Sequence, residues 1–192
     1  MVLVHPLSSY REPNIWINTD APEIQILARN FLSSNQAYLY VRDRIHHSFD
    51  INATEAPSTA LEVLVAGHGL CFAKSNLLAA ILRAMGVPTG LVYQRLLLGD
   101  SVVDGYCLHG LNAIYDEEQD RWIRVDARGN KPGINAQFSM TTEKLAFQVR
   151  PELGEVDYDF IYAEPPQIIQ DFYRTNQSQK PVMCRTIPSE LG

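Results

Sequence analysis

Cysteine is scarce in this sequence: three residues of 192, Cys71, Cys107 and Cys184. So odd and sparse a set excludes the disulfide framework of a small secreted scaffold, and each is expected to be a thiol. Positive charge is short as well. Sixteen Lys and Arg stand against 22 Asp and Glu, a net charge of -6, which is the wrong sign for a nucleic-acid surface, and no basic stripe offsets it. No stretch reaches the ~18 apolar residues of a membrane span, and Met1 to Tyr10 lack a cationic start followed by an apolar run. The expectation is a cytoplasmic protein with neither a nucleic-acid nor a membrane partner. Internal repeats, low-complexity tracts and linker-like stretches are also missing, so a single domain over residues 1–192 is expected.

What is present suits a packed core. Hydrophobic residues make up 46% of the chain, and nine Tyr, seven Phe and two Trp are spread along it, enough to bury a core without metal or disulfide staples. Pro6, Pro13 and the Ile15-Trp16-Ile17 cluster suggest an extended lead-in that packs one aromatic on the body. Asp20 is a candidate N-cap for a helix over 21–33, with Ile24, Leu27 and Phe31 on its apolar face. A second helix is expected over 35–48, with His46 and His47 at its end, where cations suit the helix dipole. Together these form an N-terminal helical part, 21–48.

Ser58 opens a short helix, Thr59 to Ala66, which stops at Gly67-His68-Gly69. From Leu70 to Met85 the chain is almost pure helix former, with only Lys74, Ser75, Asn76 and Arg83 polar. Gly86 and Pro88 end this largely enclosed helix. The pattern then turns to β, with strands at 89–98, 102–115 and 121–127 in an antiparallel meander. Further strands are expected at 144–150 and 156–162. Pro165-Pro166 opens a last amphipathic helix, and residues 177–192 read as a loosely held tail.

The chemistry centres on Cys71. A cysteine attacks only as thiolate, and a helix N-terminus offers unpaired N–H groups and partial positive charge that favour the anion. Gly67 and Gly69 leave room upstream for close approach, and the Cys71 N–H could stabilise an oxyanion. On the second strand, Cys107, His109, Leu111, Ala113 and Tyr115 share one face by alternation, so His109 points into an otherwise apolar layer. A four-residue turn pairing Tyr115 with Asp120 sets Asp126 opposite His109. Such a His-Asp pair holds an imidazole for general-base work. Cys71, His109 and Asp126 are therefore the candidate catalytic residues. Cys107 lines the same place or packs beside it, and Asp104, Tyr106 and Arg128 lie near the same end of the sheet.

The run Gly69-Leu70-Cys71-Phe72-Ala73, leading to Leu82-Arg83-Ala84-Met85-Gly86-Val87-Pro88, then His109, then Trp122-Ile123-Arg124-Val125-Asp126, resembles the transglutaminase-like domain. The resemblance covers roughly 58–130. It implies an α+β class with a papain-like, transglutaminase-like core, in which a Cys-bearing helix packs on an antiparallel β-sheet. It further implies Cys71 as nucleophile, His109 as general base and acid, Asp126 as the residue holding the imidazole, and Trp122 as packing. The implied activity is thiol-dependent acyl transfer on peptide or protein amides, as a cysteine peptidase, an amidase or a transglutaminase, without metal or cofactor. Two departures stand out. Gly110 and Leu111 follow His109 where Ala and Trp are common, and no glutamine precedes Cys71 at the short spacing of papain-type peptidases. The second oxyanion donor is open between His68 and Gln94.

Two alternatives remain at this level. Transglutaminase-like folds also serve as non-catalytic binding or scaffold modules. His68 and Cys71 with Cys107 and His109 also make a two-plus-two ligand set for a small zinc-stabilised domain, although the spacings are irregular. Substrate identity and oligomeric state are not legible in the sequence.

Overall fold

The structure, a computed structural model, describes residues 1–176 and 186–191. In chain order its elements are β1 (Val2–Leu3), α1 (Pro22–Ala28), α2 (Ser34–Arg44), β2 (His46–His47), α3 (Ala60–Ala66), β3 (His68–Gly69), α4 (Cys71–Ala84), β4 (Thr89–Leu97), β5 (Tyr106–Asp116), β6 (Arg121–Val125), β7 (Val156–Asp157), β8 (Phe160–Ile161) and α5 (Gln167–Asn176). The fold is α+β. Helix α4 packs on an antiparallel four-stranded sheet of order β6-β5-β4-β7, with α1, α2 and α3 around its other sides.

Local chemistry explains why α4 begins where it does. Thr59 caps α3, accepting from the Glu62 N–H while the Glu62 carboxylate accepts from the Thr59 N–H. This capping box satisfies two orphan donors at once. The helix stops at Gly67, whose φ of +71° is left-handed and favours glycine. The chain then runs through β3 and re-enters a helix at Cys71. Gly69 fits there because a Cβ would meet Val63 Cγ2 at 3.1 Å and Ala73 Cβ at 3.2 Å.

Every residue of α4 except Ala84 is buried, so its polar side chains must find partners. Three of them clip the surrounding segments. Lys74 Nζ donates to the carbonyls of Ile45 and Arg128, Asn76 Nδ2 to Ser58 O, and Arg83 to the carbonyls of Thr89, Ala163 and Glu12. These bonds tie the ends of α2, β6 and β8 to one helix. Burial pushes the Lys74 pKa down to about 7, with Arg128 adding to the effect. The amine is held by carbonyl dipoles in place of a paired carboxylate.

The sheet has two apolar faces. Leu91, Tyr93, Leu108 and Ile114 join the α4 core, while Val92, Leu111 and Ala113 pack with Tyr10, Ile161 and Ala163 on the other side. Gly110 faces α4 at a close approach, where a Cβ would stand 2.6 Å from Phe72 Cδ1 and 3.1 Å from Phe72 Cα. Only a residue without a side chain lets the start of α4 sit this near β5.

Several boundaries differ from the sequence expectation. The first helix is capped at Ala21, with Pro22 at its first position, and ends at Ala28, so Asp20 is not the cap. Helix α2 ends at Arg44, because His46 and His47 leave it to pair in parallel with His68 and Gly69. Residues 102–104 form a single 3-10 turn closed by a Ser101–Asp104 capping box, so β5 starts at Tyr106. No strand forms over 144–150; Lys144 makes one isolated bridge to Gln137, while Glu143 and the Ala146 N–H are taken by Arg124 and Asp126. The expected 156–162 strand is two short ones because its halves pair with different partners, β4 and β1. The expectation of a loose tail meets a different fact at 186–191, where Ile187 is buried in the core; residues 177–185, with Cys184, lie outside the described residues. Trp16 is buried against Tyr173, and Trp122 packs between Tyr10 and Tyr115.

Candidate active site

Strand β6 pairs with β5 only from Arg121 opposite Asp116 to Val125 opposite Asn112. Among the described residues this leaves 106–111 of β5 with no strand on that side, a notch in the sheet edge. The first residue of α4 fills its inner end. The Gly110 N–H donates to Cys71 Sγ at 3.4 Å, and Cys71, buried to 6% exposure, sits at a helix N-terminus whose dipole favours a thiolate.

His109 and Asp126 meet in the same place. His109 Nε2 donates to Asp126 Oδ2 at 2.8 Å, and the imidazole and Cys71 line the same cavity, near enough for the sulfur to act on the imidazole's charge. Asp126 is fully buried and accepts two backbone donors besides, Arg128 N–H at Oδ1 (3.0 Å) and Ala146 N–H at Oδ2 (3.1 Å). Tyr38 Oη donates to the Asp126 carbonyl at 2.8 Å. Phe147 meets the His109 ring edge-on at 5.0 Å between centroids. The imidazole is thus oriented from three sides.

The register differs from the sequence expectation. Tyr115 faces Trp122, not Asp120, because the turn comprises 117–120, with Asp120 at a φ of +49°. Asp126 therefore lies diagonal to His109 instead of opposite it. The shift is by two residues, which preserves the sheet face, since only an odd slip turns a side chain over.

Burial opposes charge on His109, but Asp126 and Cys71 outweigh it and raise the pKa to about 10. The same burial acts against the Asp126 carboxylate, and His109 with the two backbone donors brings its pKa below the usual value. Both shifts favour a charged imidazolium-carboxylate pair beside the sulfur.

A cavity of about 580 Å³ opens on this site and reaches Cys71, His109, His47 and Arg128 as well as Leu96, Leu97, Leu108 and Phe147. Its walls are largely apolar. Its cations are matched by carboxylates: Arg128 forms a two-pronged pair with Asp50, and Arg150 pairs with Glu155. Cys107 also lines it. Asp104 and Tyr106 do not: Asp104 closes its own turn, and Tyr106 Oη donates to Leu153 O with Arg95 stacked 3.7 Å over its ring.

Neither expected oxyanion donor reaches the cavity. His68 Nδ1 is bonded to Ser48 Oγ at 3.0 Å, and Gln94 Nε2 donates to Asp157 at 2.7 Å. His47 does reach it. Pairing of β2 with β3 sets His47 beside Gly69, two residues before Cys71. Its Nδ1 accepts from the Phe49 N–H, which leaves the proton on Nε2. Burial and nearby Arg128 lower its pKa to about 3, so the ring is a neutral donor. A two-residue parallel pairing has no hydrophobic pattern, which hid His47 from the sequence reading. The zinc alternative is not met by the geometry: among the described residues no three His, Cys, Asp or Glu side chains gather as a metal-holding group.

The pattern of the transglutaminase-like superfamily matches residues 28–127, extending the resemblance upstream through α2 and β2. No curated protein matches the chain. Among solved structures, similarity is found to a protein from Cytophaga hutchinsonii described as a candidate cysteine protease (TM-score 0.50, 15% identity, covering 64% of this chain and 42% of that one). It is also found to the periplasmic domain of TgpA from Pseudomonas aeruginosa (TM-score 0.45, 15% identity, 65% and 48%) and to a TGase (TM-score 0.40, 15% identity, 84% and 50%). The chain spans half or less of each of these structures, and at such identity the likeness is one of fold.

Proposed function

The chain belongs to the transglutaminase-like superfamily, and from that premise we propose that it is a thiol-dependent acyl-transfer enzyme, a cysteine peptidase or amidase acting on peptide-type amides. The observation that carries this reading is a buried Cys71 at a helix start that shares one cavity with a His109 imidazole already paired to Asp126.

In the proposed reaction the Cys71 thiolate attacks the amide carbon, forming a C–S bond while the carbonyl π pair moves to oxygen. The tetrahedral intermediate collapses, the C–N bond breaks, and the leaving amine takes the proton from the His109 imidazolium. Water then attacks the thioester as His109 accepts its proton. The acid departs, and the thiolate and imidazolium are restored. Asp126 keeps the imidazole in one tautomer and offsets its charge throughout. The Cys71 N–H and His47 Nε2 stabilise the oxyanion, the side-chain donor being neutral and fixed before reaction.

Turnover of blocked peptide p-nitroanilides tests the reading. The wild-type chain is expected to release the amine and Cys71→Ala to release none, with iodoacetamide modifying Cys71 well ahead of Cys107 in the wild type. Equal labelling of the two thiols, with no turnover, would instead support a binding or scaffold module. His47→Ala is expected to lower kcat by ~10²–10³-fold with KM little changed, as loss of one oxyanion donor does. His47→Gln, which retains a donor, is expected to recover part of that loss; unaltered kcat in His47→Ala would remove His47 from the reaction.

A further inference from the structure

The notch in the sheet edge is longer than Cys71 needs. Along an antiparallel strand alternate N–H groups point to the same side, so the Leu108 and Gly110 N–H groups both face away from β4 into the gap that β6 leaves. Gly110 N–H meets the sulfur. Leu108 N–H is also taken: it donates to Pro188 O at 2.7 Å. Pro188 therefore meets the free edge of β5 beside the proposed nucleophile, and the chain bends there and reaches on toward Arg95 of β4 and Tyr158.

Three more contacts hold the segment there. Ile187 is buried to 9% exposure and lines the same cavity as Cys71 and His109. Glu190 pairs with Arg95 at 3.2 Å, and the Leu191 N–H donates to Tyr158 Oη. The bent segment makes one backbone bond to an unpaired strand edge and puts one side chain in the adjoining pocket; an extended peptide could use the same two features and add further bonds along the edge by strand addition.

We propose that the free edge of β5 at residues 106–110 is the peptide-binding subsite of this enzyme, selecting an extended segment with an aliphatic side chain, and that residues 186–191 occupy it as an internal competitor. The proposal rests on the cysteine chemistry above and adds where the peptide lies. Two residues of strand advance ~6.6 Å, so a carbonyl held by Leu108 N–H stands away from the sulfur at Gly110. The segment therefore blocks without being cut. A substrate must displace it before its own chain can pair with Leu108.

The test uses the full chain and two probes of Cys71, read by mass spectrometry: iodoacetamide, small enough to pass the segment, and a blocked dipeptidyl chloromethyl ketone carrying leucine, which needs the edge. Ile187→Asp removes the anchor from the pocket. If the segment fills the site about nine-tenths of the time, the peptidyl reagent is expected to label Cys71 about tenfold faster in the variant, with the iodoacetamide rate unchanged. Adding the peptide Thr-Ile-Pro-Ser-Glu-Leu is expected to slow the peptidyl reagent again. Glu190→Lys, at an exposed carboxylate, is the second variant, expected to shift the rate the same way with no change in melting temperature. A Cys71 that reacts with iodoacetamide but takes the peptidyl reagent at one rate in all three chains overturns the competitor. A Cys71 inert to both probes in every chain overturns the catalytic reading, and this proposal with it.

Discussion

Exchange of His109 for alanine is expected to lower kcat/KM by at least ~10³-fold, the usual scale for loss of a catalytic base that acts with its nucleophile as a unit. The more specific effect is on the pH dependence of Cys71 alkylation. An unassisted thiol, with a pKa near ~8.5, loses almost two decades of thiolate between pH 8 and pH 6. In the wild type burial is outweighed by Asp126 and Cys71, which raise the His109 pKa to about 10, so the imidazolium stays beside the sulfur across that range, and the iodoacetamide rate is expected to fall less between pH 8 and pH 6 than in the variant. In His109→Ala they should fall steeply toward pH 6. The sign for stability follows from the same shift. A raised histidine pKa contributes stability fully present below the unfolded value of ~6.5 and lost as pH rises through about 10, so alkaline unfolding is expected to be blunted in the variant. His109→Ala keeps Asp126 accepting from the Arg128 and Ala146 N–H groups, so its fold is expected to survive. An equally steep pH dependence in the wild-type alkylation rate would remove the ion pair from the mechanism.

Much of this site was legible in the sequence because its parts announce themselves locally. The apolar run after Gly69 can only be an enclosed helix, which places Cys71 at its start, and alternation places His109 on one face of β5. Asp126 was found through a register that was wrong by two residues. The pairing still chose the correct face because strand periodicity is two. His47 was not legible, since its position depends on two residues pairing with β3 across a loop, a contact without local pattern. The segment at 186–191 was misread for the opposite reason. Its polar, proline-containing sequence does look like a free tail, and its anchors, the cavity at Ile187, the edge of β5, Arg95 and Tyr158, are all far away in sequence. Residues 144–150 were read as a strand, whereas the Ala146 N–H is spent on Asp126 and the Phe147 ring packs on His109.

Replacement of Asp126 is expected to damage activity and to cost more stability than replacement of His109, whose loss still leaves the carboxylate its two backbone donors. The carboxylate is wholly buried and answers three donors, the His109 imidazole and the backbone N–H groups of Arg128 and Ala146. Asp126→Ala leaves all three facing a dry cavity. Removing one member of a buried charged pair typically costs ~3–5 kcal/mol, a large share of the ~5–15 kcal/mol that holds a domain together. Urea unfolding at pH 7 is expected to show a loss on that scale, and a loss under ~1 kcal/mol would mean that solvent reaches the site. Asp126→Asn distinguishes charge from shape. An amide there can offer its oxygen to one side only, so its NH₂ must oppose either the Arg128 N–H or, together, the Ala146 N–H and the proton on His109 Nε2. If it opposes His109, the imidazole takes the wrong tautomer, and kcat is expected to fall by ~10⁴-fold with the fold largely kept. The pH dependence carries the sign. The folded pKa of Asp126 is lowered, chiefly by His109 against the opposing effect of burial. Its contribution is therefore present above the ordinary carboxylate value and lost as pH falls through the lowered one. Urea midpoints measured from pH 7 down to pH 3 are expected to decline less in Asp126→Asn than in the wild type. A parallel decline in the two proteins would locate the acid sensitivity elsewhere, with His47 the next group to examine: its depressed pKa likewise removes stability as pH falls below ~6.5 toward about 3.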